Sequence, residues 1–100
     1  MDVDAIESNA GDAAKLLKAL SNEKRLLIVC ALHKSERNVG ELEEIVGLSQ
    51  SALSQHLARL REDNLVSTRR SAQTIYYSLC DDAVGHLMTC LCSVYGSGKD

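Results

Sequence analysis

Residues 49–60 read SQSALSQHLARL, and this stretch decides the fold. Leu53, Leu57 and Leu60 recur at spacings of four and three, which predicts a helix with a narrow apolar stripe and a polar opposite side. A second short helix over 40–46 precedes it, and a glycine-containing turn over 47–49 joins the two. Any small helical bundle contains such a pair, but a polar first turn on the second helix is typical of a helix-turn-helix that reads DNA.

Two extended segments follow this helix. Residues 65–70 and 74–79 are rich in β-branched, aromatic and aliphatic side chains, and the link over 71–73 is polar. The pattern predicts a β-hairpin with Arg69, Arg70 and Gln73 near its tip. An arginine pair in a loop is usually a solvated pair. Here the arginine pair follows directly after a candidate recognition helix, and this arrangement predicts a wing that contacts phosphates or the minor groove.

The other helices follow from apolar spacing and capping residues. We expect a helix over 12–20 whose pattern extends back as far as Val3, and a second over 23–33 capped by Ser21. Asn38, with Glu41 three residues later, predicts a capping box for the third helix. The last helix starts at 81–82, where two acids suit its N-terminal dipole.

The resulting fold class is mainly α with a β-hairpin wing, a winged helix-turn-helix of order ααααββα. It forms one domain over 1–100, with 1–11 and 96–100 expected to be flexible. The first and last helices carry more apolar surface than such a domain needs, which predicts a homodimer formed through them. A two-fold protein suits two DNA half-sites about one helical turn apart.

Composition and charge restrict the compartment and the partners. The chain has no run of ~18 apolar residues, so no membrane span is expected. Its acidic start is unlike a secretory signal, and we expect a cytoplasmic protein. The net charge is −3, but residues 49–79 carry four arginines against two acids. That local charge of +2 predicts salt-dependent binding to double-stranded DNA.

Catalysis is not expected. His33, His56 and His86 fall in three separate predicted helices, and no HExxH motif, CxxC motif or glycine-rich phosphate loop occurs. An enzyme would need a nucleophile, a base and an oxyanion site that converge. A winged domain that binds only another protein remains the alternative to a DNA reader.

Taken together, the chain resembles the ArsR/SmtB family of winged-helix repressors over roughly residues 13–95. The resemblance is carried by LLKALSNEKRL at 16–26, VGEL at 39–42, SQSALSQHL at 49–57, LV at 65–66 and YYSL at 76–79. It implies a homodimeric repressor that binds operator DNA and releases it when an inducer binds.

The candidate DNA contacts follow from the polar face and the wing. Glutamine can bond bidentately to adenine, and a serine at a helix start can hold a phosphate. His56 either contacts phosphate or packs between helices. The full set is Ser49, Gln50, Ser51, Ser54, Gln55, His56, Arg59, Arg69, Arg70 and Gln73.

The inducer is a separate question. Metal sensors of the family that use thiols carry them in the third helix, where this chain has none. Another branch uses the last helix of both subunits, and Asp82, His86 and Cys90 are spaced to share one side of that helix. The second ligand cluster of that branch is missing. No cofactor is therefore expected, and zinc or another thiophilic metal is the alternative.

The chain resembles more closely the metal-free branch that senses sulfide, persulfide or oxidants. Members carry a cysteine in the context of Cys30 and a partner at the end of the last helix, a position that falls here on Gly96. Cys92 lies one helical turn earlier and points to a similar side. The resemblance thus implies a redox-sensing pair, Cys30 and Cys92, with a small sulfur species as inducer. A buried Cys30 without a sensing role and a regulator without a switch remain the alternatives.

Overall fold

The computed structural model describes residues 3–96. Its elements confirm the mainly helical winged fold, with two additions, a separate first helix and a two-residue strand before the helix-turn-helix. In chain order they are α1 Val3–Glu7, α2 Ala10–Leu20, α3 Glu23–Lys34, β1 Arg37–Asn38, α4 Val39–Val46, α5 Gln50–Glu62, β2 Val66–Ser71, β3 Thr74–Leu79 and α6 Asp82–Tyr95.

The N-terminal pattern that reaches back to Val3 is divided in two. A turn at Ser8 and Asn9 separates α1 from α2, so residues 3–7 and 10–11 lie in helices. The predicted flexibility of this segment stays a prediction, and residues 97–100 lie outside the described part. Within 3–96, no helix combines the length and apolarity that crossing a membrane requires.

Helix α3 lies at the centre of the core. It contacts α2, α4, α5, α6 and β3, and Ile28 and Val29 are fully buried. The helix is not enclosed on every side, because the Leu27 side chain is 42% exposed. The largest fully buried side chains are Ile28, Leu42, Leu53, Leu57, Leu60, Met88, Val29 and Val84.

The predicted cap of α3 is wrong by one residue. Asn22 is the cap, and its Oδ1 accepts hydrogen bonds from the backbone N–H of Lys24 at 2.9 Å and of Arg25 at 3.0 Å. Ser21 instead donates its hydroxyl to the Lys18 carbonyl at 2.9 Å and closes the preceding helix. Serine and asparagine stabilise a helix N-terminus to a similar degree, so residue type does not show which of the two is the cap. The residue at which the backbone enters the helix decides it.

The capping box of α4 is confirmed. The Glu41 N–H donates to Asn38 Oδ1, and the Asn38 N–H donates to Glu41 Oε1, both at 2.9 Å. The helix ends at Gly47, whose φ of 74° lies in the left-handed region that glycine adopts without strain. A Cβ on Gly47 would meet nothing within 4 Å, so conformation rather than space favours glycine in this turn.

A Schellman motif ends α5 and directs the chain into the wing. Asn64 has a φ of 61° and donates its N–H to the Arg61 carbonyl at 3.0 Å. Leu65 donates to the Leu60 carbonyl at 3.0 Å, and both leucines are buried. This is the paired bonding by which a left-handed residue satisfies the last carbonyls of a helix.

The wing is the hairpin of β2 and β3, residues 66–79, and β1 adds a third strand in the order β1-β3-β2. The pairing of Ser71 with Thr74 leaves a loop of only two residues, Ala72 and Gln73. Ala72 has a φ of 57°, a conformation that costs a residue with a side chain about 1–2 kcal/mol. The predicted three-residue link is therefore one residue shorter.

Candidate nucleic-acid interface and thiol groove

The first turns of α5 present a polar face to solvent. Gln50, Ser51, Ser54 and Gln55 are all exposed, and the three leucines of the helix are buried on its other side. Because all four side chains are exposed, this face is not covered by any part of residues 3–96. We call residues 50, 51, 54 and 55 the recognition face.

Ser49 has a structural task. Its backbone is extended, and its Oγ accepts a hydrogen bond from the Ala52 N–H at 3.2 Å, which caps α5. The hydroxyl can still donate to a phosphate, since the cap uses it as an acceptor. The cap also places the free N–H groups and positive dipole end of α5 at the same surface.

His56 and Arg59 lie at the edge of this surface. His56 is half-buried, and burial, with the nearby Arg25 cation, lowers its pKa. It is therefore mainly neutral at pH 7, which favours the packing alternative over a cationic contact to phosphate. Arg59 Nε donates to Asp63 Oδ2 at 3.0 Å, an i,i+4 pair that draws the guanidinium toward the end of α5.

The two arginines of the wing lie on opposite faces of the sheet. Arg70 pairs across the strands with Ile75, on the face that continues from the buried Val66, whereas Arg69 pairs with Tyr76 on the other face. Arg69 is bound to Glu36 by two hydrogen bonds, but Arg70 is exposed and makes no hydrogen bond or ion pair within residues 3–96. Arg70 is thus the wing arginine available to a phosphate, and the sequence prediction treated the two as equivalent.

Gln73 lies at the tip of the wing. It is exposed in the two-residue loop and lines a shallow cavity with Asn38, Val39 and Ile75 at the start of α4. The wing tip and the N-terminus of α4 therefore form one surface.

Cys30 and Cys92 line one apolar groove, which we call the thiol groove. It has a volume of about 330 Å³, and apart from the two thiols it is lined by Leu26, Leu27, Met88, Leu91, Tyr95 and Gly96. Burial raises the pKa of Cys30, and the neighbouring Cys92 thiol raises it further. Cys92 is exposed, and both cysteines are free. Helical spacing predicts that Cys92, not Cys90, lies on the side of residue 96, and the resemblance implies Cys30 as its partner. Cys90 lies outside this lining.

Gly96 ends α6 rather than extending it. It is the C-cap, with extended backbone, and its N–H donates to the Cys92 carbonyl at 2.9 Å. A Cβ built on Gly96 would lie 2.4 Å from that same carbonyl oxygen. A cysteine at this position would require the end of the helix to shift.

The alternative metal ligands are not assembled within one chain. Asp82 and His86 line a cavity of about 660 Å³ with His33 and Cys80, whereas Cys90 is outside it. Within residues 3–96, no group of three or more His, Cys, Asp or Glu side chains is arranged to hold a metal ion.

Sequence reasoning missed two residues of the interface. Glu36 lies between α3 and β1 and binds Arg69, although the two are 33 positions apart. No local pattern marks such a pair, because it depends on the register of three strands. Ala72 carries the positive φ of the wing loop, where the usual signal would be glycine or asparagine.

Known proteins resemble this chain over most of its length. Residues 22–68 match a family model described as bacterial regulatory protein, arsR family. Nodulation protein NolR of Rhizobium meliloti is 58% identical over 88 residues, which are 88% of this chain and 72% of that protein. Reduced HlyU from Vibrio cholerae is 48% identical with a TM-score of 0.88, covering 93% of this chain and 98% of that one. The transcriptional repressor BigR from Xylella fastidiosa is 39% identical with a TM-score of 0.91, covering 97% and 99%.

Proposed function

The chain belongs to the ArsR/SmtB family of bacterial transcriptional regulators, and we propose that it is a dimeric repressor whose operator affinity is switched by sulfur chemistry at Cys30 and Cys92. Members of this family are DNA-binding regulators and not enzymes. The observation that carries the proposal is the recognition face, which is exposed on the first turns of α5, while Arg70 is exposed on the wing that follows this helix.

DNA binding divides into reading and positioning. The four side chains of the recognition face supply donors and acceptors for base edges in the major groove. Arg70 and the N-terminus of α5 supply phosphate contacts, which set affinity and its salt dependence. Because the partner is chromosomal DNA, we place this activity in the cytoplasm.

Dimerisation is supported by apolar side chains that the chain leaves uncovered. Leu17 on α2 is 56% exposed, and Val94 and Tyr95 on α6 are 65% and 81% exposed. On α1, Val3 and Ile6 are exposed as well. A second copy covers this surface and sets the distance between two recognition faces.

The switch begins at the more accessible thiol. Cys92 is exposed, whereas the raised pKa of Cys30 keeps that residue protonated at pH 7. The Cys92 thiolate attacks the outer sulfur of an organic hydropersulfide, the S–S bond breaks, and the carrier leaves as a thiol. Cys92 is then a persulfide.

Cys30 completes the reaction. Its sulfur attacks the Cys92 Sγ, the bond to the outer sulfur breaks, and hydrogen sulfide leaves with the Cys30 proton. Two protein thiols are oxidised to a disulfide, and one hydropersulfide is reduced to a thiol and hydrogen sulfide. The new bond ties α6 to α3 across the thiol groove. Since α6 carries the dimer surface and α3 contacts α4 and α5, the bond changes how two recognition faces fit one operator.

The test is a fluorescence anisotropy titration of promoter DNA with reduced and hydropersulfide-treated protein, alongside mass mapping of the cysteines. We expect treatment to weaken operator binding by about 5- to 150-fold, the usual range of allosteric coupling. Cys30→Ser and Cys92→Ser should abolish the response. Cys90→Ser is the matched control on the same helix and should keep it.

Two results would contradict the switch. One is an unchanged response in both the Cys30 and Cys92 variants. The other is a loss of affinity while mapping finds both thiols free. Parallel titrations with zinc and with a chelator address the alternative inducer, because a zinc-dependent change that needs His86 and Cys90 would replace the sulfur mechanism.

A further inference from the structure

Glu36 and Arg69 form the best-defined ion pair on the wing. Arg69 Nε donates to Glu36 Oε2 at 2.6 Å, and Nη2 donates to Oε1 at 2.8 Å. These two parallel bonds are the bidentate geometry in which guanidinium and carboxylate match best. The same guanidinium lies over the Tyr76 ring, 4.7 Å from its centroid. Arg69 is thus held by two partners, the Glu36 carboxylate and the Tyr76 ring, although it is exposed.

The strand register places this cluster on one face of the sheet, which we call the outer face. Asn38 on β1 pairs with Tyr76 on β3, and Tyr76 pairs with Arg69 on β2. Glu36 precedes Asn38 by two residues and so shares its side. The cluster crosses all three strands, and Arg70 points to the opposite face.

We propose that Glu36 is a positioning residue for DNA binding: it holds Arg69 on the outer face, where the pair braces the wing against the end of α3, and leaves Arg70 as the phosphate-binding arginine. We call the Glu36–Arg69 pair the brace. This inference rests on the proposed function, because it is tested by measuring the affinity for DNA. The hydrogen bonds from Arg69 lower the pKa of Glu36, so the pair is ionised at neutral pH.

The brace also joins the wing to α3, the helix that carries the half-buried thiol of Cys30. Glu36 follows the last residue of α3 by two positions, and Cys30 lies on that helix. A displacement of α3 therefore moves the Glu36 carboxylate, which is bound to Arg69. The position of the wing then depends on the position of α3.

The experiment uses a variant pair that keeps the net charge. Glu36→Gln with Arg69→Gln removes one acid and one base, so the overall field at the DNA is preserved. Because exposed ion pairs contribute little to folding, the double variant should fold, which circular dichroism verifies. The charge swap Glu36→Arg with Arg69→Glu restores an ion pair in which the two residues exchange their charges. Promoter binding of each is titrated at 0.1 to 0.3 M salt.

We expect the double glutamine variant to bind about 2- to 30-fold more weakly, the range of long-range coupling in proteins, with the native salt slope. The charge swap should recover most of this loss. Arg70→Gln is the comparison that should flatten the slope.

A salt slope flattened in the double variant as in Arg70→Gln would overturn the brace, because Arg69 would then be a phosphate ligand. Native affinity in the double variant, or no recovery in the swap, would overturn it too. Each of these leaves the proposed function intact. If the native protein does not bind duplex DNA at any salt concentration, both the brace and the proposed function are overturned.

Discussion

Arg70→Gln should reduce both the affinity for DNA and the dependence of that affinity on salt. Arg70 is exposed on the wing, and within residues 3–96 it has no acidic partner that would compete with a phosphate. Each lost phosphate contact lowers the slope of log K against log salt by about 0.9. A dimer carries two copies of Arg70, so the slope should fall by about 1.8.

This change in slope converts into a change in affinity. If the contribution vanishes at 1 M salt, a slope change of 1.8 corresponds to about 60-fold weaker binding at 0.1 M and about ninefold at 0.3 M. One contact per complex would give about eightfold and threefold at the same concentrations. The magnitude therefore also reports how many wings engage the operator.

The assay is fluorescence anisotropy of labelled promoter DNA at four salt concentrations. Lys18→Gln is the matched control, since it removes one positive charge from α2, which is not part of the wing. It should leave the slope nearly unchanged. An Arg70 variant whose slope equals that of the native protein would refute the assignment, and so would a control that flattens the slope equally.

Three further predictions concern the local structures that hold the site. Ala72→Gly should raise the free energy of unfolding by about 0.5–1 kcal/mol in urea titrations, because glycine relieves the positive φ, whereas Ala58→Gly in α5 should lower it by about 1 kcal/mol. Asn38→Ala should cost about 1 kcal/mol, and Asn9→Ala, which removes no cap hydrogen bond, should cost far less; equal losses would show that the capping box is not the cause. The pKa of His56 is lowered in the folded state, so the unfolded chain binds more protons below about pH 6.5 and stability is lost as the pH falls toward the folded value. His56→Gln should remove that part of the pH dependence in denaturation at pH 5 to 8, and an unchanged profile would contradict the burial of this imidazole.

The helices and the wing could be predicted from the sequence because their signals are local. The leucine spacing of α5, the Asn38 and Glu41 capping box and the β-branched and aromatic composition of β3 each act within a few residues. The same spacing rule places Cys92 on the side of residue 96, and the family resemblance implies Cys30 as its partner. The two thiols line one groove.

What could not be predicted depends on register and distant contacts. Alternation along the predicted strand already places Arg69 and Arg70 on opposite faces, but which of them meets Glu36 is known only when the pairing is known. Strand β1 is two residues long, too short for any periodicity, yet it brings Glu36 to the wing. The choice of Asn22 over Ser21 as a cap depends on where the backbone turns.

The recognition face is tested most directly by measuring how a single side chain affects base preference. An operator selected from random DNA is altered at each base pair in turn, and the binding of native protein and of Gln55→Ala is titrated on every duplex. We predict that the variant loses about 1–3 kcal/mol of discrimination at one position in each half-site and keeps it elsewhere. A variant that is weakened equally on all duplexes, or that keeps the native preference at every position, would contradict the placement of α5 in the major groove.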